Sequence, residues 1–283
     1  MSQAYVNGEL VDESLASVSI FDTGLMHGVG LFETMRAYGG QIAFLYEHLR
    51  RLMASAQELE LRIDHSVDEL QEAIQRVVRA NGLSDARVRL TITPGNPFTA
   101  GDDQAPANTV IVTATEATPY PTEYYQKGAS VIISPYKQNP YDATAGHKTL
   151  NYFPRLRALQ AAQKAGAIEA LWFTTTNRLA EGCISNVFLV KEGELITPPL
   201  DVPVLPGVVR QQVLKLAQQE GVEISERECV INDVLQADEI FLTNSMMELM
   251  PVCRVERHAV ADEKPGDTWR RLHQAYKEQV RMQ

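Results

Sequence analysis

Apolar and polar positions alternate with period two over Leu31–Tyr38 and over Ala86–Thr93, which predicts strands with one covered face. In the second, Val88, Leu90 and Ile92 form the apolar side, and Arg87, Arg89, Thr91 and Thr93 the polar side. Between them the spacing changes. Leu45, Leu49, Leu52, Ala56 and Leu59 predict a helix from Tyr46 to about Leu61, and a second is expected from Val67 to about Ala80. Residues 4–21 read as short strands, with Asn7-Gly8 as a hairpin turn, and Gly39-Gly40 turns the chain again into Gln41–Phe44. The stretch 94–107, rich in Gly, Pro, Asn and Asp, reads as a loop, and Thr109–Thr115 as a β-branched strand. Glu116 to Gln126, with Pro119 and Pro121, reads as a connector. Domains are therefore expected over 1–117 and 128–283, joined by 118–127.

In the second half, Val131–Ile133 and Ala170–Thr174 read as strands, with a turn at Thr176-Asn177. A helix is expected after Tyr152, through Phe153, Leu156 and Leu159 to about Ala165. Another follows Pro206-Gly207, carrying Val213, Leu214, Leu216 and Ala217. Glu239–Ser245 reads as a strand running into a polar turn.

Composition narrows the function classes. A chain of 283 residues, 45% hydrophobic and 22% charged, can bury a substantial core. A net charge of −10 argues against nucleic acid as the main partner, because phosphate backbones need a basic face. An acidic surface can still hold a local basic pocket for a small anion. The three cysteines, Cys183, Cys229 and Cys253, are far apart and form no CxxC, so neither a disulfide framework nor a metal site is expected. Met1–Tyr5 is neither basic nor followed by an apolar run, and no apolar run approaches the ~18 residues of a membrane span. No signal peptide and a cytoplasmic setting are expected.

Candidate chemistry lies mainly in the second half. In Gly146-His147-Lys148-Thr149-Leu150-Asn151-Tyr152, one lysine sits just ahead of a helical pattern. A lysine held at the start of a packed helix suits an amine that must attack a carbonyl; a solvated surface lysine is the plain alternative. Glu181 interrupts surroundings that look buried, and a carboxylate there needs a cationic partner to remain charged. Leu205-Pro206-Gly207-Val208-Val209-Arg210 opens a helix and so offers backbone N–H groups to an anion. Thr243-Asn244-Ser245 offers hydroxyl and amide donors.

In the first half, the adjacent Arg50 and Arg51 cannot share a helix face, so one can point inward. Arg87 and Arg89 suit carboxylate recognition, or simply solvent. Gly28 and Gly30 make a poor nucleotide loop, because the third glycine is missing and a strand pattern follows. Together, the lysine, the carboxylate, the helix terminus and the hydroxyl turn are the parts needed to hold pyridoxal 5′-phosphate (PLP).

With these residues in order, the sequence resembles the class IV PLP-dependent aminotransferases, or fold type IV. The resemblance covers nearly the whole chain, in His27–Arg36, Glu47–Leu52, Lys148–Tyr152, Glu181–Phe188, Leu205–Arg210 and Thr243–Ser245. It implies an α/β (α+β) fold with a small α/β N-terminal domain and a larger pseudo-barrel C-terminal domain that binds PLP, in a homodimer. It also implies roles. Lys148 would form the Schiff base and carry the proton between Cα and C4′. Glu181 would pair with the pyridine nitrogen, and Tyr152 would lie near the phenolic oxygen, although one residue closer to the lysine than in branched-chain members. Arg51, the N–H groups of Val208 and Val209, and Ser245 with Asn244 would hold phosphate. Arg89, Arg87, Phe32 and His27 would face the substrate.

The family includes L-branched-chain aminotransferases, D-amino acid aminotransferases and 4-amino-4-deoxychorismate lyases. Pro94 stands where the D-enzymes carry a basic residue. Arg87 stands where branched-chain members carry a tyrosine, and a second arginine suits a substrate with two carboxylates. The reading is an aminotransferase moving the amino group of a branched-chain-like amino acid to a 2-oxo acid. The alternatives are a lyase releasing pyruvate and 4-aminobenzoate, and a non-catalytic protein that binds PLP or an anion.

Overall fold

The computed structural model describes residues 2–99 and 107–282. The chain divides into two compact units. The first holds the chain up to Thr118 together with His147–Asn151, and the second holds Pro119–Gly146 and Tyr152–Met282. The covalent path thus leaves the second unit for five residues, those around Lys148, and returns.

In the first unit, strands β1 (Gln3–Val6), β2 (Glu9–Asp12), β3 (Leu31–Tyr38), β4 (Gln41–Ile42), β5 (Ala86–Thr93) and β6 (Thr109–Glu116) make one antiparallel sheet in the order β2-β1-β6-β5-β3-β4. Helices α1 (Thr23–His27), α2 (Leu45–Glu58) and α3 (Val67–Asn81) complete it. Of the short strands expected over residues 4–21, β1 and β2 form and the last ends at Asp12. There the Asp12 carboxylate accepts from the Ser14 N–H and opens a 3-10 turn over Glu13–Leu15.

Of the loop expected over 94–107, residues 100–106 lie outside the described residues, and Pro97–Thr99 form a 3-10 turn. The alternation holds in both long strands. Leu31, Met35, Val88, Leu90 and Ile92 are buried with Leu49, Leu52, Leu70, Ile74 and Val77 of the two long helices. Ser66 and Glu69 form a reciprocal capping box that starts α3.

The second unit contains α4 (Thr122–Lys127), β7 (Ala129–Gln138), α5 (Phe153–Lys164), β8 (Glu169–Thr174), β9 (Asn186–Lys191), β10 (Glu194–Thr197) and α6 (Val208–Gln219). After these come β11 (Ile224–Glu226), α7 (Ile231–Leu235), β12 (Glu239–Asn244), β13 (Glu248–Val255), β14 (His258–Ala259) and α8 (Asp267–Arg281). Its mixed sheet runs β11-β10-β9-β12-β13-β7-β8, with β14 on β13; β7 is parallel to both neighbours. Part of the stretch read as a connector is the helix α4, fixed where the Tyr125 hydroxyl donates to the Met247 carbonyl. No helix among the described residues is long and apolar enough to cross a membrane.

The two faces of β5 give a direct check. Leu90→Ala is expected to cost roughly 2–5 kcal/mol, because it opens a cavity at a fully buried site. Arg87→Ala, on the exposed side, should stay within about 0.5 kcal/mol. Urea unfolding of the two variants measures both, and equal losses would refute the register.

Candidate active site

In the first unit, Lys148 is held by strand pairing. Its carbonyl accepts the Phe32 N–H at 3.0 Å, Leu150 donates to the Gly30 carbonyl at 3.0 Å, and Thr149 bridges Leu31. The helix α5 begins at Phe153, as expected, and Lys148 lies four residues clear of its first turn. Sheet pairing fixes the backbone instead. A Cβ at Gly30 would meet the Ile92 carbonyl at 2.7 Å and Leu150 at 2.8 Å, so only glycine lets the lysine segment lie so close. Gly28 ends α1 in the left-handed region. Both glycines of the supposed phosphate loop are therefore explained by backbone geometry.

The face of β3–β5 away from the helices gathers three of the expected residues. The Lys148 Nζ lies 4.5 Å from the Phe32 ring centroid, and the Arg89 guanidinium lies 3.9 Å from the same centroid. Both are cation–π distances. Arg89 also donates from Nε to the Thr91 hydroxyl at 3.2 Å. Arg87, two residues along the same strand face, is exposed. His27 ends α1 and is exposed, with no bond to Lys148, Phe32 or Arg89 among the described residues.

The opposite face of β3 carries a residue that pattern reading passed over. Glu33 stands in an otherwise apolar row, Leu31, Met35 and Ala37, and is 1% exposed. From α2, Arg51 donates to it twice, Nε to Oε1 at 2.8 Å and Nη2 to Oε2 at 2.5 Å. His48 Nδ1 lies 2.8 Å from the same Oε2. Positions 48 and 51 share a helix face, so of the two adjacent arginines Arg51 turns inward and Arg50 stays exposed. Burial alone would raise the Glu33 pKa, but Arg51 and His48 outweigh it and bring it down to about 2. Burial lowers His48, with Arg51 and Lys148 adding to the effect against the pull of Glu33.

In the second unit, Glu181 is 2% exposed in the loop between β8 and β9. Its backbone is pinned to β8, where its carbonyl accepts the Trp172 N–H at 2.7 Å. Its Oε1 accepts from Arg155 Nη2 at 2.6 Å; its Oε2 accepts from the Leu205 N–H at 3.0 Å and the Asn186 amide at 3.4 Å. Arg155 is the cationic partner that a buried carboxylate requires, and it was not legible as such in the sequence. The one available signal was its i,i+3 placement after Tyr152. The Tyr152 hydroxyl donates to the Cys183 carbonyl at 3.1 Å, and burial raises its pKa.

Asn186 ties this group to the helix terminus, since its amide also donates to the Leu205 carbonyl at 2.9 Å. A Cβ at Gly207 would collide with the Asn186 side-chain oxygen, so the residue before α6 must be glycine. No side chain caps that helix, and its first residues are Val208 and Val209. In β12, Thr243 lies opposite Asn186, with its hydroxyl buried and lacking a hydrogen-bond partner among the described residues. The Asn244 amide oxygen accepts from the N–H groups of Met246 and Met247, and its nitrogen donates to the Ile184 carbonyl. Asn244 thus shapes the turn that carries Ser245.

The family model of amino-transferase class IV matches residues 30–255. A putative branched-chain-amino-acid aminotransferase of Methanocaldococcus jannaschii is 34% identical over 97% of this chain and 95% of its own length. The D-alanine aminotransferase of Listeria monocytogenes is 30% identical over 97% and 95%. The aminodeoxychorismate lyase of Bacillus subtilis is 29% identical over 98% and 94%. The solved branched-chain amino acid aminotransferase of Escherichia coli superposes with a TM-score of 0.92, at 28% identity, covering 98% of this chain and 94% of that one.

The chain belongs to the class IV aminotransferases, with the fold-type-IV architecture. It is a PLP-dependent enzyme, and amino transfer is its reading. The residues present fit the cofactor. A carboxylate has about four acceptor positions and Glu181 uses three, which leaves one on Oε1 for a protonated ring nitrogen. The unpartnered Thr243 hydroxyl and the uncapped start of α6 are donors of the kind a phosphate needs.

The Glu33 network generates a pH-dependent prediction. A carboxyl lowered from 4.5 to about 2 stabilises fully above the unfolded value and loses that contribution as pH falls from 4.5 toward 2. The contribution is roughly 3 kcal/mol. Glu33→Gln is expected to be less stable by roughly 3–5 kcal/mol near neutral pH, because Arg51 then lacks its counter-ion. The gap to the parent protein should narrow near pH 2. Urea midpoints at the two pH values check this, and a gap that stays constant would refute it.

Proposed function

We propose that this enzyme exchanges the amino group of a branched-chain-like amino acid with a 2-oxo acid, using Lys148 as the reacting amine. Bound PLP supplies the electron sink for the pair released at the substrate α-carbon. Lys148 would hold the cofactor through Nζ, the aldehyde oxygen leaving as water, and its amine, once freed, would take the proton from the substrate α-carbon and return it. The single supporting observation is that its amine and the Arg89 guanidinium rest on one ring, that of Phe32. That arrangement sets a proton carrier beside a carboxylate-binding cation, with an apolar wall suited to an aliphatic side chain.

Glu181 would hold the ring nitrogen protonated, and Tyr152 would stand near the phenolic oxygen. The N–H groups of Val208 and Val209, Ser245 and Arg51 would neutralise phosphate. Thr243 joins this set on account of its buried, unpartnered hydroxyl. Asn244 acts through the turn it shapes.

A second reading, the aminodeoxychorismate lyase, is favoured by one observation. Arg87 continues the cationic row beside Arg89, and two arginines suit two carboxylates.

A homodimer is supported by the apolar side chains that the first unit leaves bare, including Leu15 at 76%, Ile20 at 72%, Leu25 at 64% and Phe98 at 72% exposed. His27 lies beside exposed Leu25 and Met26, which supports a substrate contact across that dimer. The three buried thiols suit a reducing cytoplasm.

The purified enzyme is expected to absorb in the visible and to bleach with borohydride, while Lys148→Ala, still folded, loses both properties. L-leucine with 2-oxoglutarate should give glutamate, with slower or no turnover of D-alanine. Pyruvate and 4-aminobenzoate released from aminodeoxychorismate, without amino transfer, would instead establish the lyase.

A further inference from the structure

Arg155, the cationic partner of Glu181, has been given no part in the reaction so far, yet it is held at several points. Besides its 2.6 Å bond to Glu181 Oε1, its Nη1 donates to the carbonyls of Gly182 and Cys183, each at 3.2 Å. Its guanidinium lies 5.9 Å from the Trp172 ring centroid and 6.0 Å from that of Tyr152. Three acceptors and two rings leave it one position. The other donors to Glu181, the Leu205 N–H and the Asn186 amide, are neutral. The titratable groups around Glu181 are Arg155 and Tyr152 from α5, Glu169 from β8, and Cys183 from its own loop. Burial raises both Tyr152 and Cys183, so neither is charged near neutral pH, and Glu169 brings no positive charge.

We propose that Arg155 is a positioning residue for amino transfer: it keeps Glu181 ionised and confines it to one orientation, with a single acceptor site open toward the ring nitrogen. This rests on the reading that Glu181 faces that nitrogen. A carboxyl buried without a cation can rise by up to 3–5 pH units and become neutral. A neutral acid cannot act as counter-ion to a pyridinium. The effect of Arg155 is therefore on the protonation of the ring nitrogen, through Glu181, and not on substrate contact.

The test uses the holoenzyme and its Arg155→Gln, Arg155→Lys, Glu181→Gln and doubly substituted variants. Two readouts are taken across pH: the visible absorption of the bound cofactor with its affinity by spectral titration, and steady-state rates. Arg155→Gln is expected to lower kcat near neutral pH by about ten- to a hundredfold, the usual range for outer partners of a reacting group. KM should change by less than about threefold, since no ground-state contact is lost. Arg155→Lys, which keeps a cation beside Glu181, should restore the parent rate, spectrum and pH profile.

In the Glu181→Gln background, loss of Arg155 should add nothing further. If Arg155→Gln keeps the parent spectrum and pH profile while Glu181→Gln alters both, the inference is overturned and the role of Glu181 stands. If neither variant alters them, both fall. Should Arg155→Gln fail to fold, the double variant leaves no unpaired charge buried. Any loss it shows beyond Glu181→Gln alone then overturns the inference.

Discussion

A carboxyl group removed from water needs donors or cations to replace its hydration, and three buried carboxyl groups of this protein are supplied with them differently. Glu33 has a bidentate arginine and a histidine behind it. The donors to Glu169 are neutral, the N–H groups of Ala170, Cys183 and Ile184 and the Ser185 hydroxyl, and burial raises its pKa. Glu181 combines the two solutions, one arginine with two neutral donors. Stranding a buried ion such as the Glu33 carboxylate costs several kcal/mol, a large part of a domain's ordinary stability of roughly 5–15 kcal/mol. Each carboxylate therefore dictates where its neighbours stand.

Those neighbours include residues proposed above to hold the cofactor. Arg51, read as a phosphate ligand, has its orientation set by Glu33. The loop 182–185 is wrapped around Glu169, which fixes the peptide immediately after Glu181. Asn186 bonds to Glu181 and to Leu205, and its side chain leaves no room beside Gly207 for a Cβ. One asparagine thereby couples the position of a carboxylate to that of a helix terminus. Beside Arg155, much of the precision in the second unit comes from backbone groups and short polar side chains, which lose little conformational entropy when ordered.

Lys148 is positioned by different means. It lies on a five-residue segment that pairs with the start of β3, so the strand that supplies Phe32 also fixes the amine above it. This removes backbone freedom around a long side chain. A shift in β3 would move the lysine, the ring and, on the other face, Glu33 together. The arrangement depends on the close approach at Gly30.

Local pattern determined much of this protein. The strand Ala86–Thr93 and its two faces follow from the alternation of Val88, Leu90 and Ile92 with Arg87, Arg89 and Thr91, because a strand's side chains must alternate. The inward turn of one of two adjacent arginines follows from helical geometry, and the order of short motifs identified the family. What the sequence could not express was which distant groups meet. Glu33 resembled any strand glutamate until α2 brought Arg51 and His48 over it, and Arg155 resembled any helix arginine until Glu181, 26 residues later, reached its side chain. Lys148 read only as lying just ahead of a helix, because its pairing with β3 spans more than a hundred residues. Buried charges are matched across the fold rather than along the chain, so only the tertiary structure decided how they pair.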